Sequence, residues 1–182
     1  MLPDGDLLIL DLEATCCDAG TVPRHERETI EIGAVLFERE SLSIVDEFEC
    51  LIRPIRHPIL TPFCVELTGI TQTSVDGGMP FVEAMQSLSE WAKPLRPWTF
   101  SSWGRFDLNQ LSAECRDAGI DFDLAPPHCN LKTAVADSLG WQRPLGIDGT
   151  LGKLGLTFDG TPHRGLDDAR NVALIVRHLL GG

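Results

Sequence analysis

A short apolar run near the N-terminus constrains the fold of this chain more than any other feature. Residues 7–13 read Leu-Leu-Ile-Leu-Asp-Leu-Glu, which is too short for an ordinary helix. The run is also too apolar for a strand that has one face in water. We therefore predict a central, buried β-strand over residues 7–12.

Later segments alternate between strand and helix patterns, which predicts an α/β protein. Two strands separated by a polar segment predict a hairpin, and a further short strand follows. These strands are expected at 30–37, 44–53 and 99–102. Helices are expected at 62–68, from 80 to 92, from 108 to 118, at 131–139, at 150–154 and from about 166 to 180.

The chain has 182 residues, of which 43% are hydrophobic, so we predict a single domain over 1–182. It has no stretch near the roughly 18 consecutive apolar residues of a membrane span, and no basic N-terminal region followed by a long apolar segment. Six cysteines without a Cys-x-x-Cys pair favour reduced, mostly buried thiols. We expect a cytoplasmic protein with no membrane partner, whose oligomeric state the sequence leaves open.

Two carboxylates, Asp11 and Glu13, close the predicted first strand. Residues i and i+2 of a strand point to the same face, so these side chains project together. Like charges side by side repel, and either a bound divalent cation or solvation must compensate them. The pair by itself leaves both explanations open.

A third carboxylate, Asp168, lies at the start of the last predicted helix. At about 100° per residue it shares one helical stripe with Val172 and Ile175. Asp167 turns away from that stripe. A metal shared with the first pair would offset the cost of placing an acid next to a buried face. The alternative is an acid that the helix dipole favours in the first turn.

His163 precedes the same helix, in a loop rich in glycine and proline at 159–165. A histidine beside a metal site is suited to act as a general base near neutral pH, with the loop closing over an attacking water. A lone loop histidine is more often simply solvated. Its assignment therefore depends on the neighbouring acids.

The formal net charge of −12 argues against tight, sequence-independent binding to a phosphate backbone, which draws on many Lys and Arg contacts. It does not exclude an enzyme that holds only the last few nucleotides, because clustered carboxylates can bind metal ions that attract phosphate. Substrate affinity is therefore expected to be weak without metal.

Four segments together resemble the DEDDh 3′-to-5′ exonucleases of the ribonuclease H-like fold. They lie at 11–16, 63–71, 103–107 and 163–171, in the order expected for that family. The likeness runs from about residue 7 to 180 and is strongest to the branch of the histone-mRNA and small-interfering-RNA exonucleases and the bacterial KapD-like proteins. It implies an α/β, ribonuclease H-like fold in which α-helices flank a central mixed β-sheet.

The resemblance also implies a two-metal mechanism that uses Mg²⁺ or Mn²⁺. Asp11 would contact both ions, with Glu13 and Asp168 completing the site that activates water. Asp107 would help to hold the other ion. His163, five positions before Asp168, would accept the proton from the attacking water. Two cations about 4 Å apart can stabilise the attacking and leaving oxygens, and cleavage would release nucleoside 5′-monophosphates.

Five further residues are implied in substrate binding. The backbone at Ala14 and Thr15 would meet the terminal ribose and its 3′-hydroxyl. Phe63 and Leu67 would enclose the terminal base. Trp103 either stacks on a base or packs in the core at the end of a strand.

These patterns together predict a metal-dependent 3′-to-5′ exonuclease that binds the 3′ end of single-stranded nucleic acid, with RNA favoured by the resemblance. Residue types do not separate RNA from DNA, since contacts to the 2′-hydroxyl cannot be read from them. The alternatives are a DNA exonuclease of proofreading or repair and a catalytically silent nucleic-acid-binding module. All five motif positions are filled, which favours an enzyme. Phe106, next to Asp107, is expected to be a core residue.

Overall fold

Five strands and seven α-helices are formed by residues 2–95, 97–124 and 127–181, which the computed structural model describes. The strands are β1 (Leu7–Ala14), β2 (Thr29–Glu38), β3 (Ser43–Leu51), β4 (Thr99–Ser102) and β5 (His128–Asn130). The helices are α1 (Pro62–Thr68), α2 (Gln72–Asp76), α3 (Phe81–Ala92), α4 (Phe106–Ala118), α5 (Leu131–Ser138), α6 (Ile147–Leu154) and α7 (Gly165–Gly181).

The strands form one mixed sheet in the order β3-β2-β1-β4-β5. Strand β1 pairs antiparallel with β2, which pairs antiparallel with β3. Strand β4 runs parallel to β1, and β5 runs parallel to β4. The predicted hairpin and the predicted α/β fold with a central mixed sheet are therefore confirmed.

Alternate residues of β1 pack against helices on opposite faces of the sheet. On one face Leu8 shares a core with Leu88 of α3 and Leu111 of α4. On the other face Ile9 packs with Val172 of α7. The first four residues of β1 are at most 1% exposed, which confirms the prediction of a central buried strand.

Two short elements, α2 and β5, are not predicted by the sequence patterns. Helix α2 has five residues and β5 has three, which is too few to display a period. Helix α6 begins at Ile147, three residues before the predicted start at residue 150. The sequence did not predict this first turn, because Gly149 lowers its helix propensity.

Two glycines bring the start of α7 into backbone contact with the sheet. A Cβ atom on Gly33 of β2 would lie 1.9 Å from the backbone nitrogen of Leu166. A Cβ atom on Gly165 would lie 3.0 Å from the carbonyl oxygen of Asp11. Because these positions carry no side chain, the first turn of α7, which includes Asp168, lies directly against the end of β1.

All six cysteines have free thiols, and Cys16, Cys50, Cys64 and Cys115 are buried. Within the described ranges, none of the helices is both long and apolar enough to cross a membrane.

Candidate active site

A cleft of about 380 Å³ lies where strand β1 ends and helices α4, α6 and α7 begin. Its walls include each of the predicted metal ligands and the predicted base, which are Asp11, Glu13, Asp107, Asp168 and His163. Trp103 lines the same cleft. The fold thus brings together residues from four separate segments of the chain.

Asp11 and Glu13 continue the face of β1 that Leu7 and Ile9 occupy, as strand alternation requires. Asp107 approaches from the first turn of α4 and is only 4% exposed. Its Oδ1 accepts a hydrogen bond of 3.1 Å from the backbone nitrogen of Leu12. This bond joins helix α4 to the end of β1 and holds the Asp107 carboxylate beside the other two.

Asp168 lies in the first turn of α7 and is 7% exposed. Its Oδ2 accepts a hydrogen bond of 2.9 Å from the backbone nitrogen of His163. Asp167 points elsewhere, since its carboxylate accepts from Thr161 and pairs with Arg170. The structure therefore turns Asp168, and not Asp167, toward the cleft, as the helix phase predicted.

The His163 side chain is exposed, and its backbone has a φ of +62°. Few residues other than glycine adopt this left-handed conformation, and such strain is often found at functional sites. Ligand atoms of His163, Glu13 and Asp168 lie within 4.8 Å of one another. The loop thus places an imidazole next to two buried carboxylates.

Burial raises the pKa of four carboxyl groups in the cleft. The pKa of Glu13 rises to about 8, and that of Asp168 to about 7, mainly through burial. Burial raises the pKa of Asp107 to about 6. The pKa of Asp11 is raised well above its usual range by burial and then by the Asp107 and Asp168 carboxylates. The carboxyl group of Asp11 is thus close to those of Asp107 and Asp168.

Crowded carboxylates without a counter-charge are suited to bind a divalent cation. Their oxygens are hard donors, which suit Mg²⁺ or Mn²⁺. Arg164 lies next to His163 in the sequence, but its guanidinium group is bound to Glu31 and Glu49. The donor set of the cleft therefore fits a divalent metal.

Two residues of the cleft differ from the sequence-based expectations. Phe106 is 44% exposed and lines the cleft, so the prediction that it is a core residue is wrong. As first residue of α4 it turns outward while Asp107 turns inward. Asp148 was missed, although it also lines the cleft and helps to raise the pKa of Asp168. A single acid at a helix start is too common to single out.

Four residues implied in substrate binding lie outside this cleft. Thr15 is buried, and its backbone and side chain both bond to Glu28. Ala14 ends β1, and its carbonyl oxygen lies 3.8 Å from the Cys64 sulfur of α1. The same helix carries Phe63, which is half-buried, and Leu67, which is 37% exposed. Helix α1 and the end of β1 therefore adjoin each other.

Trp103 has features of both roles that its position suggested. Its indole Nε1 donates a 3.1 Å hydrogen bond to the carbonyl oxygen of Leu145, and its ring packs against the core beneath α7. It also lines the cleft. The hydrogen bond connects the segment before α6 to the end of β4.

The sequence and the fold both match known nucleases. Residues 8–176 match the RNase T exonuclease family. ERI1 exoribonuclease 2 from Homo sapiens is 33% identical over 193 residues, covering 93% of this chain and 27% of that protein. ERI1 exoribonuclease 3 from Homo sapiens is 35% identical over 181 residues, covering 94% of this chain and 52% of that protein. This chain thus spans about a quarter to a half of these relatives.

A solved structure agrees with this match. The nuclease domain of 3′hExo, a DEDDh family member bound to rAMP, has a TM-score of 0.89 and 30% sequence identity. The alignment covers 97% of this chain and 92% of that domain. The ribonuclease H-like fold and the family resemblance are both confirmed. The chain belongs to the DEDDh exonuclease family.

Proposed function

We propose that this chain is a metal-dependent 3′-to-5′ exonuclease that degrades single-stranded RNA. The observation that carries the proposal is the convergence of four carboxylates and a histidine on one cleft. Three of these carboxyl groups have pKa values raised to between about 6 and about 8, which a bound cation would reverse.

The carboxylates would hold two divalent ions, Mg²⁺ or Mn²⁺. Asp11 would contact both, because it lies among the other carboxylates and interacts most strongly with Asp107 and then Asp168. Glu13 and Asp168 would complete one site, and Asp107 would contribute to the other. When bound, two such ions stabilise the attacking and leaving oxygens of a phosphodiester displacement.

His163 would accept the proton of the attacking water. Its ring is within 4.8 Å of carboxylate oxygens of Glu13 and Asp168, and the hydrogen bond from its backbone to Asp168 fixes the loop. Its exposed position leaves the imidazole free to pass the proton on to solvent. This role requires the side chain, and not only the loop backbone.

The 3′ end of the RNA would be held beside the carboxylates. Backbone atoms of Ala14 and Thr15 would contact the terminal ribose, and Phe63 and Leu67 of α1 would enclose its base. Trp103 would contact a base through the face that lines the cleft. The product would be a nucleoside 5′-monophosphate, and rAMP bound to the related 3′hExo domain supports this product class.

RNA is favoured over DNA because the similar curated proteins are named exoribonucleases. A cytoplasmic location and the extent of the domain over 1–182 stay predictions from the sequence.

Digestion of matched single-stranded RNA and DNA, each labelled at the 5′ end, tests the proposal. With Mg²⁺ or Mn²⁺ the RNA is expected to shorten from its 3′ end into a ladder, and EDTA is expected to stop the reaction. The released product should be the 5′-monophosphate. If neither strand shortens with either metal, the exonuclease assignment is wrong, and a binding module becomes the better description.

A further inference from the structure

A second groove of about 380 Å³ runs along helix α4 and begins at Phe106. Its floor consists of residues at helical spacing, which are Phe106, Asn109, Gln110, Ala113 and Asp117. Its walls come from the segment that contains Arg24 and Arg27, and from Arg56. We call this the arginine groove.

The arginine groove has the opposite charge to the rest of the chain. Its lining contains four arginines, Arg24, Arg27, Arg56 and Arg116, but only two carboxylates, Glu114 and Asp117. The chain as a whole has 15 Lys and Arg residues and a net charge of −12. Positive charge is therefore concentrated here in a protein that is otherwise strongly acidic.

The two carboxylates of the groove leave two of its four arginines unpaired. Asp117 pairs with Arg56 at 2.8 Å and with Arg116 at 4.0 Å. The Glu114 carboxylate accepts hydrogen bonds from Thr29 and Gln110. Arg24 and Arg27 form no ion pair with any residue that the structure describes.

The side chain of Arg27 also lacks a hydrogen-bond acceptor for one of its nitrogens. Its Nε atom is buried and has no hydrogen-bond partner among the described residues. A buried donor without an acceptor is costly. A phosphate group cannot reach an atom that water does not reach, so a ligand in the groove would contact Arg27 through its other guanidinium nitrogens. In a chain with an excess of acids, unpaired arginines at one groove indicate an anionic ligand from outside the protein.

The groove is continuous with the catalytic cleft. Phe106 lines both, and Asp107, the next residue of α4, carries one of the cleft carboxylates. Helix α4 has 13 residues and is about 20 Å long, which is enough to follow several nucleotides. A strand that leaves the cleft past Phe106 would enter the arginine groove.

We propose that the arginine groove binds the sugar–phosphate backbone of the nucleotides that precede the cleaved one, with a base stacked on Phe106. The inference rests on the proposed exonuclease function. Arginine is suited to phosphate because its guanidinium group donates two hydrogen bonds in a planar fork. Aromatic rings accept bases with little sequence preference, so the contact would suit an enzyme that degrades a strand progressively.

The proposal is tested by the salt dependence of RNA binding. Fluorescence anisotropy would measure the dissociation constant of labelled RNA in an Asp11→Asn background, with long RNA of about ten nucleotides and short RNA of about three. For a single strand, each phosphate contact makes the slope of log affinity against log salt concentration more negative by about 0.7. Arg24→Ala and Arg27→Ala should each make the slope shallower by about this amount for the long RNA, and leave the slope for the short RNA unchanged.

Two variants separate a binding defect from a folding defect. Arg24 is exposed, so Arg24→Ala tests the groove without disturbing packing, whereas Arg27 is half-buried. Arg177→Ala is the matched control. Arg177 is an exposed arginine near the C-terminal end of α7, away from Asp168, so its replacement should leave RNA binding unchanged. Phe106→Ala should weaken binding of long RNA without changing the salt slope.

A slope for Arg24→Ala and Arg27→Ala equal to that of Arg177→Ala would overturn the inference, even if the wild-type enzyme digests RNA. An equal loss of affinity for short and long RNA would also overturn it. A shallower slope in these variants, together with a wild-type protein that does not cleave RNA, would support the groove and contradict the proposed exonuclease function.

Discussion

The guanidinium group of Arg164 is bound to the buried carboxylate of Glu31, with Nη2 2.6 Å and Nε 2.9 Å from the same oxygen. The second oxygen of Glu31 accepts a 2.7 Å hydrogen bond from the backbone nitrogen of Gly165. Glu31 lies directly opposite Glu13 in the sheet. A buried acid beside the carboxylates of the cleft thus fixes the residues between His163 and the start of α7.

Removing the Arg164 side chain is expected to destabilise the protein. Arg164→Ala leaves the Glu31 carboxylate buried without its cation, and breaking a buried ion pair costs about 3–5 kcal/mol. Urea unfolding would measure the loss. Arg164→Lys keeps the charge but not the planar fork, so its loss should be smaller. A free energy of unfolding unchanged in Arg164→Ala would contradict the structural role of the pair.

The contact between β2 and α7 predicts that Gly33 cannot be replaced. In Gly33→Ala the new methyl group would overlap the backbone of Leu166, which cannot rotate away. The free energy of unfolding should fall by about 3 kcal/mol, and metal binding should weaken because Asp168 moves with the helix. Gly152→Ala is the control, because nothing lies near a Cβ atom there, and it should stabilise helix α6 by up to about 1 kcal/mol. Equal stability of the two variants would contradict the close contact.

The raised carboxyl pKa values predict how the metal-free protein responds to pH. Folding raises the pKa of Glu13 from 4.5 to about 8 and that of Asp168 from 3.8 to about 7. The folded state therefore binds more protons than the unfolded state between about pH 4 and pH 8, so its stability falls as pH rises through that range. The melting temperature in EDTA should decrease accordingly, and less steeply in Glu13→Gln.

Divalent metal should reverse this trend, because it binds the deprotonated carboxylates. The increase in melting temperature on adding Mn²⁺ is expected to be larger at pH 8 than at pH 5. A metal effect of the same size at both pH values would count against a site built from these carboxylates.

Two substitutions of His163 distinguish the catalytic role of its side chain from the structural role of its backbone conformation. Asparagine tolerates the left-handed conformation that this position adopts at a φ of +62°, so His163→Asn should keep the stability of the loop. Both His163→Asn and His163→Ala should lose about 10²–10⁴ in single-turnover rate, as expected for loss of a general base. Metal binding by calorimetry should be largely retained. Near wild-type turnover in His163→Asn would remove this residue from the role of base.

The sequence predicted the cleft residues because their placement follows local periods. The two-residue repeat of a strand puts Asp11 and Glu13 on one face, and the helical repeat selects Asp168 over Asp167. Their convergence with Asp107 was predicted only from the family resemblance, since no local rule brings separate segments together.

The parts that the sequence did not predict depend on tertiary contacts. The bond between Glu31 and Arg164 joins positions 133 residues apart, and a Glu inside an apolar strand does not reveal its partner. The arginine groove likewise assembles from three distant segments. Short elements such as β5 form because the neighbouring strand supplies hydrogen bonds, not because three residues have a detectable preference.

Replacement of Asp11 is the most direct test of the proposed two-metal site, because this carboxylate is assigned to both metal ions. Asp11→Asn keeps the size of the side chain and removes one charge from a crowded acidic cluster, so the fold should persist and the melting temperature in EDTA should not fall. The measurement is the rate at which 5′-labelled single-stranded RNA shortens from its 3′ end in Mg²⁺ and in Mn²⁺. If Asp11 binds both metal ions, Asp11→Asn should lose nearly all turnover while remaining folded. Ordinary activity in Asp11→Asn would contradict the two-metal assignment.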